Sequence, residues 1–294
     1  MRNLQLTALL LLFYLSSNAQ RQDILVDVDW LKNRMLRDDL VLLHIGYEEA
    51  YLKEHIPGAI YINSKEYTFS DSTHNFDLPE VSKLEAMLQQ KGISNHTDVV
   101  IYTGENWVPL VTRLYFTLDY LGHGERTRIL DGGMMTWKSL GNTVTDEVYT
   151  PATGNFKAKP KDQLLADTNY MLQSIDNTQN SIVDCRASVY YTGIEASHNA
   201  RNGRIPGAKT IPYTSLYQEN AQGAYEFLRD VNITSIFSDE GLQPSTPLVL
   251  YCHIGMQLTV VYTAAKMLGY QDVKIYDGSF YEWGPDDSLP IELD

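Results

Sequence analysis

His55-Ile56-Pro57-Gly58-Ala59 returns as Arg204-Ile205-Pro206-Gly207-Ala208, 149 positions further along the chain. Outward from these two segments, further echoes follow in the same order: Tyr102-Thr103 and Tyr251-Cys252, Leu121-Gly122 and Leu268-Gly269, then Asp131-Gly132 with Trp137 against Asp277-Gly278 with Trp283. A period this long describes a duplicated domain; solenoid repeats are a few tens of residues. The reading divides the chain into a leader at 1–19, a first domain at 20–147, a linker at 148–162 and a second domain at 163–294. Around that linker, Thr145 to Asp162 holds Pro151, Gly154 and Pro160, the composition of a connector.

Within each half, short apolar runs alternate with helical patterns. Leu40 to Ile45, Val99 to Tyr102 and Thr127 to Leu130 have strand length, and Val81 to Lys91 and Pro109 to Leu121 carry helical periodicity. In the second half the strands are Ser181 to Asp184, Pro247 to Tyr251 and Val273 to Tyr276, and Gln257 to Leu268 is a helix ended by Gly269. Strands apolar on both faces and joined by helices predict two tandem α/β domains, each a parallel sheet with helices on both faces and ligands at the carboxyl ends of the strands.

Composition narrows the function. With 294 residues, 44% hydrophobic and 20% charged, the chain is an ordinary globular protein. Its net charge of −14, from 23 basic and 37 acidic residues, argues against nucleic acid as a partner, because phosphate neutralisation needs a basic face. Arg2, the apolar run Leu4 to Leu15 and the small residues of Ser17-Asn18-Ala19 predict a cleaved signal peptide. The run is shorter than the ~20 residues that span a bilayer, so the reading is a periplasmic or secreted protein with no membrane partner after cleavage.

The predicted chemistry sits where Leu248-Val249-Leu250-Tyr251 hands over, through Cys252-His253-Ile254-Gly255-Met256-Gln257, to a helix. Such a turn aims successive N–H groups at one point, and the helix end adds positive potential; both favour a thiolate and an anion bound to it. Cys252 is therefore the candidate nucleophile, with His253, Ile254, Gly255, Met256 and Gln257 as its binding loop. His253 is the titratable neighbour whose imidazolium would support the thiolate.

Tyr51 through Ile62 (Tyr-x3-His-Ile-Pro-Gly-Ala-x2-Ile) and Val273 through Trp283 (Val-x2-Tyr-Asp-Gly-Ser-Phe-x-Glu-Trp) resemble the two signature segments of the rhodanese family. With the repeat, the resemblance covers nearly the whole chain after the leader and is closest to tandem-domain sulfurtransferases of the thiosulfate or 3-mercaptopyruvate type. It implies that only the second domain is catalytic, with Cys252 on the family's cysteine and Thr103 at the matching place in the first half. The implied reaction moves a sulfane sulfur from a small donor through a Cys252 persulfide to a thiol or cyanide-like acceptor, without a cofactor. Asp184-Cys185-Arg186 falls on an Asp-x-Arg turn, which gives Asp184 and Arg186 a structural role beside the site.

The chain also departs from the family. Cations that thiosulfate-using members carry are replaced by Ile254 in the loop and by Tyr190 further away, which leaves Arg204, and Arg201 beside it, as substitutes. Members using 3-mercaptopyruvate have Ser where this chain has Ile254, and their first-domain acid and His align with Lys65 and Phe76, with His74 two residues off. The aromatic set Tyr190, Tyr191, Tyr281 and Trp283 reads mainly as packing, with Tyr190, at the place of the missing cation, also a substrate-binding candidate together with Arg204. Cys185 leaves open a disulfide with Cys252 or a thiol redox function, and loss of donor contacts leaves open a non-catalytic binding module. A Cys-x5-Arg phosphatase is disfavoured because the sixth residue after Cys252 is Leu258. No metal-ligand spacing appears among the seven His and two Cys.

Overall fold

A computed structural model describes residues 20–71, 75–177, 179–196 and 201–293. The leader and His74 lie outside the described residues. The first half contributes β1 (Leu25–Val26), β2 (Leu40–Ile45), β3 (Ala59–Ile62), β4 (Asp98–Thr103) and β5 (Thr127–Leu130). The second contributes β6 (Leu165–Ala166), β7 (Ser181–Asp184), β8 (Lys209–Thr210), β9 (Tyr217–Glu219), β10 (Tyr225–Phe227), β11 (Leu248–Tyr251) and β12 (Val273–Tyr276). The two large sheets run β1-β5-β4-β2-β3 and β6-β12-β11-β7-β8, both wholly parallel, so the duplication seen in sequence is a duplication of topology. β9 and β10 form an antiparallel hairpin, and at the matching place in the first half Phe69 and Asp77 form a single antiparallel bridge.

Local chemistry explains the repetition. Asp27 and Asp167 each cap the helix that follows by accepting an N–H, from Trp30 and Tyr170 respectively, at 2.7 Å. The central strands β4 and β11 have buried cores, as strands covered on both faces must. Helices end within a residue or so of the sequence expectation, at Val81–Gln90, Val108–Tyr120 and Leu258–Met267.

The halves share a core. All residues of the helix Val108–Tyr120 are buried, and it packs against Leu258–Met267 of the other half, with the Thr112 and Thr259 hydroxyls 2.9 Å apart. One apolar cluster therefore runs from Leu43 and Ile101 to Val183 and Leu250. The connecting stretch lies along the first half: Gly154 and Phe156 donate N–H bonds to Gln89 O and Ile93 O, and Phe156 is fully buried.

Candidate active site

β11 ends the second sheet's central strand at Tyr251, and Cys252 follows at the point where neighbouring connections run to opposite sides of the sheet, β7 and β8 one way and β12 the other. That switch point is where open parallel sheets bind ligands. The helix begins at Leu258, leaving Cys252 to Gln257 as the turn.

Two N–H groups of this turn converge, and on an atom that sequence reasoning missed. Cys252 and Gly255 donate to the Ser279 hydroxyl at 3.1 and 3.2 Å, while that hydroxyl donates to Tyr276 O at 2.8 Å and lies 3.9 Å from Cys252 Sγ. Ser279 holds φ at 53°, a region costly for any residue with a Cβ. Its N–H-accepting oxygen is the compensation. Gly255 has φ +76°, and a Cβ there would run into Asp277, so the turn requires glycine twice over.

The turn is also held from the first half. Arg113, on the helix Val108–Tyr120, is fully buried and donates to Gly255 O and Phe76 O, each at 2.7 Å, while forking onto the Asp277 carboxylate. Asp277 accepts the Leu78 N–H at 2.8 Å as well. No sequence pattern marked Arg113; its partners lie 37 to 164 residues away.

Above the turn opens a pocket of about 790 Å³, lined by Asn75, Ala187, Tyr190, Glu195, Ala196, Tyr213, His253, Ile254, Gln257 and Tyr281. The structure thus brings together His253, Ile254, Gln257 and Tyr190 from the predicted set. His253 meets Tyr190 edge to face at 4.5 Å. Cys252 and Met256 are buried and are not among the lining residues. Burial, with the Cys252 sulfur nearby, raises the Tyr213 phenol above its ordinary value.

Other expectations are redistributed. Arg204 does not line the pocket: it is 7% exposed, its guanidinium pairs with Glu292 and stacks 4.4 Å from Tyr191, and its backbone bridges to the same Glu292. Arg201 is likewise committed, to the carbonyls of Gly284, Asp286 and Leu289. The aromatic set splits. Tyr190 and Tyr281 line the pocket, whereas Trp283 is buried and donates to Pro290 O and Tyr191 donates to Ala208 O.

Asp184 and Arg186 form a buried fork at 2.6 to 3.1 Å. Tyr251 donates to Asp184 at 2.7 Å, and Arg186 reaches Gly203 O while lying 3.9 Å over the Phe280 ring. This buried group braces the Arg204-Ile205-Pro206-Gly207-Ala208 turn, whose Ile205 N–H is received by the Tyr251 hydroxyl. Cys185 and Cys252 are both free thiols here. Among the described residues no cluster of His, Cys, Asp and Glu has metal-site geometry.

A sequence profile of the rhodanese-like domain matches residues 27–140 and again 167–286. The chain belongs to the rhodanese family. The thiosulfate sulfurtransferase of Cricetulus griseus is 30% identical over 238 residues, covering 79% of this chain and 78% of that one. That of Gallus gallus is 29% identical over 236 residues, with 80% of each covered. A Mycobacterium tuberculosis relative is 29% identical over 284 residues, 93% of this chain and 99% of its own. Among solved structures, YnjE superposes with a TM-score of 0.77 at 25% identity, covering 93% of this chain and 69% of YnjE. Wild-type EanB gives 0.79 at 22%, covering 93% and 70%, and shows the same fold. With two rhodanese-like domains and relatives named thiosulfate sulfurtransferase across most of its length, the chain is a sulfurtransferase.

Proposed function

We propose that Cys252 is the nucleophile of a two-step sulfur transfer. Its thiolate attacks the sulfane sulfur of a donor, a new S–S bond forms, and the donor's remainder leaves with the electron pair. An acceptor thiolate or cyanide then takes the outer sulfur, and Cys252 recovers its thiolate. The observation that carries this reading is the position of Cys252: it opens the strand-to-helix turn whose His253, Ile254 and Gln257 line a 790 Å³ pocket, and that turn leads into the N-terminal, positive end of the helix Leu258–Met267.

The donor we favour is one with an uncharged sulfur or a single carboxylate, ahead of thiosulfate. Among the described lining residues there is no Lys or Arg, Glu195 contributes a carboxylate, and Arg201 and Arg204 are committed elsewhere. A missing charge-assisted contact costs about 1.5 to 3 kcal/mol, or about one to two decades in kcat/KM. Intact-mass spectrometry after exposure to thiosulfate, 3-mercaptopyruvate or polysulfide tests both parts. One sulfur added at Cys252 is expected, least efficiently from thiosulfate; no addition from any donor favours the binding-module reading, and efficient loading by micromolar thiosulfate overturns the donor preference.

The proposal includes export, supported by Arg2, the Leu4 to Leu15 run and Ser17-Asn18-Ala19. The N-terminal residue of protein recovered from its native host should be Gln20; recovery of an intact Met1 rejects cleavage.

A further inference from the structure

Cys185 is a second thiol that sulfur transfer as described leaves idle, and the sheet places it beside the first. β7 and β11 pair in parallel with Tyr251 opposite Asp184, and the bond from Cys185 N–H to Tyr251 O at 2.9 Å carries the ladder one residue further. Cys185 and Cys252 thus stand opposite each other at the next register position of the two neighbouring strands, where Cα atoms are about 4.8 Å apart. They also share a face. Both pack in one apolar cluster with Val183 and Leu250, while Ile182, Val249 and Tyr251 pack on the opposite side. A separation of this size falls inside the range a disulfide spans.

We propose that Cys185 is a resolving thiol for a stalled Cys252 persulfide, an inference that rests on the sulfur-transfer reading above. The Cys185 sulfur attacks Cys252 Sγ, the inner sulfur; the Cys185–Cys252 bond forms, the bond to the outer sulfur breaks, and that sulfur leaves as hydrosulfide carrying the electron pair. The thiol proton of Cys185 leaves with it, giving hydrogen sulfide overall. Two cysteine sulfurs are oxidised to a disulfide and the sulfane sulfur is reduced to sulfide, so no outside oxidant enters. An external thiol reductant then restores both cysteines.

Burial decides which nucleophile reaches which sulfur. Cys252 has no exposed surface, so an acceptor arriving through the pocket meets the outer sulfur, whereas Cys185, equally buried, adjoins the inner one from within the sheet. Burial also pushes the Cys185 thiol well up, with the Cys252 sulfur and Asp184 adding to it and Arg186 opposing. Thiolate is the attacking form, so resolution is slow beside transfer to an available acceptor. The chain drains its bound sulfur only when nothing collects it.

The full chain, loaded with polysulfide and freed of donor and acceptor, tests this by timed intact mass, a sulfide assay and peptide mapping. Wild type should pass from one added sulfur to a species two hydrogens lighter than the reduced protein, with one sulfide released and a 185–252 linked peptide. Cys185→Val, which borrows the apolar character of Ile45 at the matching first-half position, should keep its sulfur and still pass it to an added thiol. Cys185→Ala serves if the valine variant misfolds. Sulfur that stays on wild type, or leaves both variants as fast as wild type, overturns the resolving role alone. If no sulfur reaches Cys252, this role and the transfer reading fall together.

Discussion

At the carboxyl end of β4 the chain presents Thr103, and at the carboxyl end of β11 it presents Cys252; the two turns share a sheet order and differ in what stands over them. Over Thr103 the β9–β10 hairpin of the other half closes down, with Tyr225 N–H on Asn106 at 2.9 Å and Phe227 N–H on Asp131 at 3.0 Å, leaving a cavity of about 10 Å³. Over Cys252 the first half sends the Phe76 to Leu78 segment, which ties down Asp277 through Leu78 but leaves 790 Å³ open. Each half therefore lends backbone N–H groups to the aspartate of the other. A plug has become a wall in one direction only.

The sharpest way to break this comparison is to move the thiol. Cys252→Ser should abolish sulfur transfer with the fold retained, because a serine hydroxyl holds no persulfide, and adding Thr103→Cys should restore nothing beneath the hairpin. Transfer to cyanide, with circular dichroism as the fold control, reads both. Activity in the double variant would show that the first-half turn is open enough to work.

A smaller effect should follow from the residue that joins the halves. Arg113→Met removes four donated bonds and leaves Asp277, whose side chain is 18% exposed, without its charge partner. Breaking a largely buried pair costs about 3 kcal/mol or more. Urea unfolding should give that loss, and sulfur loading should slow as Gly255 is released. A variant with wild-type midpoint would mean that the Leu78 and Ser279 contacts hold the turn unaided.

His44 and Asp184 occupy the same place in the two halves, each bonded to a buried tyrosine hydroxyl, Tyr102 at 2.9 Å and Tyr251 at 2.7 Å. Burial lowers His44 to about 4, so between pH 6.5 and 4 the unfolded chain takes up a proton that the folded one refuses. Stability from this group is full above about pH 6.5 and falls as pH drops. Burial instead raises Asp131 to about 6, which contributes in the opposite sense over much of that window and flattens the wild-type profile. Relative to wild type, His44→Gln should gain about 2 to 3 kcal/mol on going from pH 7 to pH 4.5. An unchanged difference between the two curves would show that His44 titrates normally.

The long central strands and helices were legible in sequence because four to thirteen residues are enough to show a period. β1, β6 and β8 were not, since two residues carry none. The strand-to-helix turn that holds Cys252 was legible because its strand, its glycine and its helix are local in sequence. Arg113 was hidden inside an apolar helix, and the pairing of Arg204 with Glu292, 88 residues on, left no local signal. Ser279 fell between these cases: its segment was recognised, but a serine at φ 53° where the first half has Gly133 at 51° becomes meaningful only when both backbones are seen together.

The helix Val108–Tyr120, buried along its entire length between the halves, has a consequence for the chain as a polymer. A protease cut near Val148 and Tyr149, exposed side chains in the connecting stretch, would sever the polypeptide yet free neither fragment. Each piece would keep the other's apolar surface dry. The nicked protein should run as one particle by size exclusion and as two bands in denaturant, and its two fragments should unfold as a pair.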